Sequence, residues 1–176
     1  MVLKVNDRCM IASAGFDGDR TQLQKVLTYR SINYEHSHKR PMSCPAMAQM
    51  LGNTLYYKRF FPYYTFNLCA GLDDQGMGCV YTYDAIGSHE RVGYSVQGSG
   101  KDLVQPVLDN QLKSPSILEV PPRTPVTSLS LESALDIVKV SFAAAGERDI
   151  YTGDAVEIFI MNKQGLQKQV LPLRRD

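Results

Sequence analysis

Side chains able to do chemistry crowd into one stretch of the chain, Gly146–Met161, which reads GERDIYTGDAVEIFIM. Glu147, Arg148, Asp149, Tyr151, Thr152 and Asp154 place carboxylates, hydroxyls and a guanidinium within a few residues of one another. Carboxylates beside hydroxyls are the material of acid–base chemistry, and scaffolds usually hold such groups on short loops between rigid elements. A plainer role fits the same residues, because an arginine between acids at a helix end often makes only a salt-bridged cap. Both readings stand on the residues alone.

The remaining reactive side chains are dispersed. Cys9, Cys44, Cys69 and Cys79 share no C-x-x-C spacing and form no cluster with histidine, so the sequence predicts neither a zinc site nor a redox motif. Free thiols suit a reducing compartment. His36 and His38 flank Ser37 in a polar segment, where a solvated helix end is the simpler account. Met42, Met47 and Met50 read as core filler. Gly98-Ser99-Gly100 joins a strand to a helix start, an arrangement able to bind anions, but it is too short for a dinucleotide or phosphate-loop fingerprint. No cofactor and no metal are expected.

Composition narrows the class. The 176 residues are 44% hydrophobic and 21% charged, with a net charge of +1. That is an ordinary single-domain composition, and no field steers it toward nucleic acid or a membrane. No apolar run approaches the ~20 residues of a membrane span, and no signal peptide is visible. The expectation is one domain over 1–176, soluble and intracellular.

The elements that must position the loop follow from periodicity. Val2–Val5 and Cys9–Ala12 are strand-like from the outset, which suggests a chain entering in the middle of a sheet and truncated at its N-terminus. Leu23, Val26, Leu27, Arg30 and Tyr34 mark a helix over 20–38, with Asp17 or Asp19 as its cap. Ser43 opens a second helix over 44–59, with Pro45 in its first turn and Met47, Ala48, Leu51 and Leu55 as its stripe. Tyr64–Ala70 and Met77–Tyr83 alternate as a hairpin, and 91–97 continues as a third strand. A helix over 101–111 contains Pro106, which should kink it or leave a carbonyl unpaired. Residues 113–127 carry four prolines and read as a surface loop. Ser130 caps a helix with the stripe Leu131, Ala134, Leu135, Val138, Phe142 and Ala145, and 155–163 and 166–173 close as a hairpin. The simplest packing is α+β: two antiparallel sheets face to face with a helical pair over each, a four-layer α-β-β-α sandwich lacking its first strands.

Four stretches carry a resemblance: KRFFPYY at 58–64, AGLDDQGMGCVYTYDAIGSHER at 70–91, LDNQL at 108–112 and ERDIYTGD at 147–154. On them the chain resembles the proteasome beta subunits along essentially its whole length. The resemblance implies the N-terminal-nucleophile hydrolase fold, in agreement with the sandwich above. In active members of that family, a processed N-terminal threonine attacks the peptide and its own amine serves as base. The supporting positions fall here on Asp149 and Thr152 (threonine standing where the family has serine), on Ser99 in the Gly-Ser-Gly turn, and on Gly15 for the oxyanion N–H. The nucleophile and the early aspartate and lysine have no counterpart, and the resemblance is closest to a member that does no catalysis itself. It therefore implies a vestigial framework with no catalytic residue.

The implied function is a non-catalytic structural subunit of the complex that degrades ubiquitin-tagged proteins. The implied partners are other beta subunits in the same and opposite rings and the alpha subunits, in cytoplasm and nucleus. The alternative is a competent threonine-type endopeptidase, which requires an upstream segment ending in a processed threonine.

Overall fold

The computed structural model describes residues 2–112 and 128–174. The proline-rich segment 113–127 lies outside them. Among the described residues, seven strands and four helices follow in the order β1 (Val2–Asn6), β2 (Cys9–Gly15), α1 (Asp17–His38), α2 (Cys44–Tyr57), β3 (Thr65–Leu72), β4 (Gly78–Tyr83), β5 (His89–Val92), α3 (Lys101–Leu112), α4 (Leu131–Arg148), β6 (Ala155–Asn162) and β7 (Gly165–Pro172). The class is α+β, with one sheet ordered β1-β2-β3-β4-β5 and a second made of the β6–β7 hairpin. No described helix is long and apolar enough to cross a membrane.

The described residues fall into two compact units, one running to Gly98 and including 159–167, the other taking the rest from Ser99. In the first unit α1 and α2 pack on one face of the five-stranded sheet. Leu23 and Leu27 of α1, and Met47, Ala48, Leu51 and Leu55 of α2, meet Cys9, Ile11 and Cys69 of the sheet in a fully buried core. Strict antiparallel register from Cys9↔Gly71 to Gly15↔Thr65 puts every second residue of β2 and β3 on that face.

The buried face of β3 is the reverse of what hydropathy suggests. Thr65, Asn67 and Cys69 are wholly buried, whereas Phe66, Leu68 and Ala70 are only half-buried. The Asn67 amide donates to Thr65 Oγ1 at 3.1 Å, so the two polar side chains partly satisfy each other beneath the helices. Tyr83, on the same face of β4, donates its hydroxyl to the Ala48 carbonyl of α2 at 2.6 Å and pins helix to sheet.

The turns of this unit are built on Asx side chains that accept backbone N–H groups two to four residues on. Asp73 Oδ1 accepts from Gln75 and Met77, Asp84 Oδ1 from Ile86 and Ser88, and Asn6 Oδ1 from Arg8. The third strand ends at Val92 instead of continuing to Gln97. The Gln97 amide turns back to Thr82 Oγ1 and the Tyr83 carbonyl, so those residues cross the sheet by side-chain bonds.

Ser43 and Ser130 cap α2 and α4 as expected, accepting from Ala46 and Ser133 at 3.4 and 3.1 Å. The cap of α1 is different. Phe16 occupies the position with no side-chain bond, Asp17 lies inside the first turn paired with Arg20, and Asp19 accepts the Tyr64 N–H at 2.9 Å. Asp19 is thus committed to tying α1 to the start of β3. His38 stacks on Tyr34 at the exposed end of α1, consistent with a solvated helix end.

In the second unit α3 and α4 pack together. α3 runs through Pro106 without a break. On α4 the stripe read from the sequence is divided: Ala145 is buried together with Ser141, whereas Val138 and Phe142 line a groove of about 340 Å³ shared with Val156, Ile158 and Leu171.

Candidate functional site

Helix α4 stops where the Asp149 N–H bonds the Ala145 carbonyl at 2.8 Å and the Asp149 backbone turns to φ −94°, ψ 113°. The Thr152 N–H then returns to the Asp149 carbonyl at 3.1 Å, closing a turn that holds the Asp149 side chain inward. Its carboxylate collects three donors. Thr152 Oγ1 and Ser99 Oγ each donate to Oδ2 at 2.7 Å, and the Tyr151 N–H reaches Oδ1 at 3.2 Å.

Ser99 comes from the turn that opens α3, so one carboxylate joins the start of α3 to the end of α4. Short hydroxyl–carboxylate bonds of this kind favour the ionised form. The Thr152 hydroxyl first, and the Ser99 hydroxyl second, hold the Asp149 carboxyl below the usual carboxylate range.

Neither reading of the opening stretch describes this arrangement fully. Glu147 pairs with Arg174 at 3.0 Å across exposed side chains, a contact worth little, and Asp149 is bound by hydroxyls and not by an arginine. Ile150 and Tyr151 point into solvent. None of Ser99, Asp149 or Thr152 lines the apolar groove along α4. The structure therefore brings three of the four framework positions together. The fourth, Gly15, belongs to the first unit, at the end of β2. Its φ is +119°, and a Cβ there would stand 2.4 Å from the Tyr64 carbonyl oxygen, so glycine is required by both conformation and space.

A second constellation has no trace in the local spacing of the sequence. Cys9 (β2), Cys44 (first residue of α2) and Cys69 (β3) converge in the core, all wholly buried. Cys9 Sγ lies 3.6 Å from Cys69 Sγ, and Cys44 Sγ lies 3.8 Å from it. Register explains the meeting: Cys9 pairs with Gly71 and Gly71 with Cys79, so Cys9, Cys69 and Cys79 share one face of three adjacent strands. The N-terminus of α2 sets Cys44 over them.

These thiols perturb one another. Hydrogen bonds from Cys44 and then Cys69 draw the Cys9 thiol down to about 5 against the opposing effect of burial. Cys79 is pushed up to about 12 by burial, and Cys69 rises through its bonds to Cys44 and Cys9. The signal that could have found this cluster is strand register, which a single sequence does not supply.

An α+β chain of antiparallel sheets and helical pairs, with an aspartate bound by a serine and a threonine at a helix–strand junction, defines the class of protein at hand. Residues 2–161 match the Proteasome family, described as proteasome subunit. The chain is 58% identical over 99% of its length to "Proteasome subunit beta type-1" of Petunia hybrida, covering 78% of that protein. It is 58% identical over 99% to the protein of the same name from Oryza sativa subsp. japonica, covering 79% of it, and 57% identical over 98% to that of Arabidopsis thaliana, covering 78%. The chain belongs to the proteasome subunit family.

Proposed function

We propose that the chain is a non-catalytic beta subunit of the proteasome core, supplying wall and interfaces to a protease complex whose peptide bonds are cut by other subunits. Its neighbours are beta subunits of its own and the opposite ring and the alpha subunits, and it works in cytoplasm and nucleus. The observation that carries this reading is the aromatic surface at the end of α2. Tyr57, Phe60 and Phe61 are 86, 94 and 84% exposed, and Tyr56 and Tyr64, close by in the chain, are exposed as well. Monomeric soluble proteins rarely leave such a cluster open, and large exposed patches mark sites of association.

The framework residues support the same reading. Asp149 is occupied by donors from two helical elements, so Ser99, Asp149 and Thr152 serve the fold whether or not a nucleophile is near. Gly15 likewise has a conformational reason to be glycine. Residues 1–176 act as one domain of the ring.

The test is to tag the chromosomal copy of the gene at its 3′ end, so that any upstream segment is kept, in cells that assemble the core particle. The purified particles are then treated with an electrophile directed at N-terminal threonines. The expected outcome is stoichiometric recovery of the chain in the particle without labelling, while catalytic subunits are labelled. A labelled chain would establish the peptidase alternative, and a chain absent from the particle would overturn the structural role.

A further inference from the structure

We propose that Cys9, Cys44 and Cys69 form a three-thiolate site for a soft d10 metal ion, with zinc(II) and copper(I) as the chemical class. This is independent of the junction at Asp149 and of whether the subunit is catalytic. Its first support is geometric. The sulfur–sulfur separations of 3.6 and 3.8 Å match the edge of a tetrahedron of sulfurs around an ion. With zinc–sulfur bonds of about 2.3 Å that edge is about 3.8 Å. All three sulfurs lie within 4.8 Å of one another, so one ion reaches them without moving the backbone far.

The second support is the donor set. Thiolates are the ligands that select copper(I) and zinc over the harder ions available in cells. The sulfurs are wholly buried in an apolar cluster, where water does not compete for the ion. The third is electrostatic. Cys44 is the first residue of α2, so the positive end of that helix faces the negative charge that bound thiolates would carry. Cys79 lies on the same face of the sheet but stands outside the triad, its thiol donating to the Gly71 carbonyl at 3.5 Å.

The ion binds the sulfurs as thiolates, releasing one proton from each ligand still present as a thiol, with no change in oxidation state. The ligands come from β2, β3 and the start of α2. An ion there would tie α2 to the sheet and enter as the helix docks, because the finished core leaves the sulfurs inaccessible.

The experiment uses the full chain on a cysteine-free solubilising fusion partner, kept reduced by a phosphine. It is refolded from denaturant in the presence, separately, of zinc(II), of copper(I) and of cobalt(II) as a spectroscopic stand-in for zinc, then desalted. The expected result is one equivalent of zinc or copper retained per chain, and a sulfur-to-cobalt charge-transfer band in the near ultraviolet. Cys44→Ser and Cys69→Ser should weaken metal affinity by at least about 10-fold, the loss that follows when only a ligand's supporting shell is disturbed, and retain correspondingly less metal on desalting. Zinc retained without copper, or copper without zinc, identifies the ion. Metal well below one equivalent with no charge-transfer band overturns the proposal, as does equal retention in the two serine variants. Should a serine variant fail to fold, the cobalt band of the unsubstituted chain decides.

Discussion

Asp149 shows how far a side chain's identity reaches. Its carboxylate was visible in the sequence as a reactive group, but local spacing did not pair it with Ser99, fifty positions away along the chain; only the family resemblance set the two in one framework. Thr152 was the legible half of the arrangement, since a hydroxyl three residues on returns naturally to an aspartate at a helix end. A depressed native pKa means that Asp149 contributes stability above the ordinary carboxylate value of about 3.9, and loses it as pH falls through the lower native value. Replacing Thr152 with Ala should raise the native pKa of Asp149, Ser99→Ala should raise it less, and Thr152→Ser should preserve it. Carbon-detected NMR titration of the Asp149 carboxyl in the full chain, held on a solubilising fusion partner, measures all three. An Asp149 pKa indifferent to Thr152→Ala would show that the hydroxyls do not hold the charge.

Elements were easier to read than faces. Ser43 and Ser130 announced their helices correctly, because an N-cap is a local bargain between one hydroxyl and a nearby N–H. The α1 start misleads, since Asp19 has a tertiary use at Tyr64 that outweighs a local one. The same competition hides the buried side of β3, where threonine, asparagine and cysteine lie under the helices while phenylalanine and leucine face the other way. Hydropathy ranks those residues in the wrong order, and only the register with β2 reveals the face.

Gly15 tests the element level directly. It ends β2 at a positive φ with the Tyr64 carbonyl against it, and the Phe16 N–H bonds that same carbonyl at 2.9 Å. Gly15→Ala should destabilise the chain by at least about 1–3 kcal/mol, the usual cost of one strained backbone conformation. Ser130→Ala should cost only about 1 kcal/mol as a lost cap. Denaturant midpoints at high dilution compare the two, and a Gly15→Ala midpoint no lower than that of Ser130→Ala would refute the close-approach argument.

At the scale of the whole molecule, the question is which surface the chain cannot leave in water. The sheet edges are poor candidates. β1 and β5 are only five and four residues long, and they carry Lys4 and the Glu90-Arg91 pair, features that discourage edge-to-edge pairing. The end of α2 is a better one. Phe60 and Phe61 are almost fully exposed, and Arg59 lies over the Phe60 ring without covering it. Burying two phenylalanines is worth about 1.5–3 kcal/mol each, enough to drive association in whatever way is open. The chain expressed alone should therefore self-associate at micromolar concentration, and Phe60→Ser with Phe61→Ser should restore a narrow sedimentation profile. In the assembled particle the same double substitution should reduce incorporation of the chain, because the residues that make the isolated subunit stick are those that a neighbour would cover. A serine pair on the exposed side of α1, at Tyr29 and Ile32, provides the comparison. If it matches the phenylalanine pair in both assays, exposure alone governs association and the end of α2 has no special role as an interface. If only the phenylalanine pair responds, the aromatic surface is the docking face.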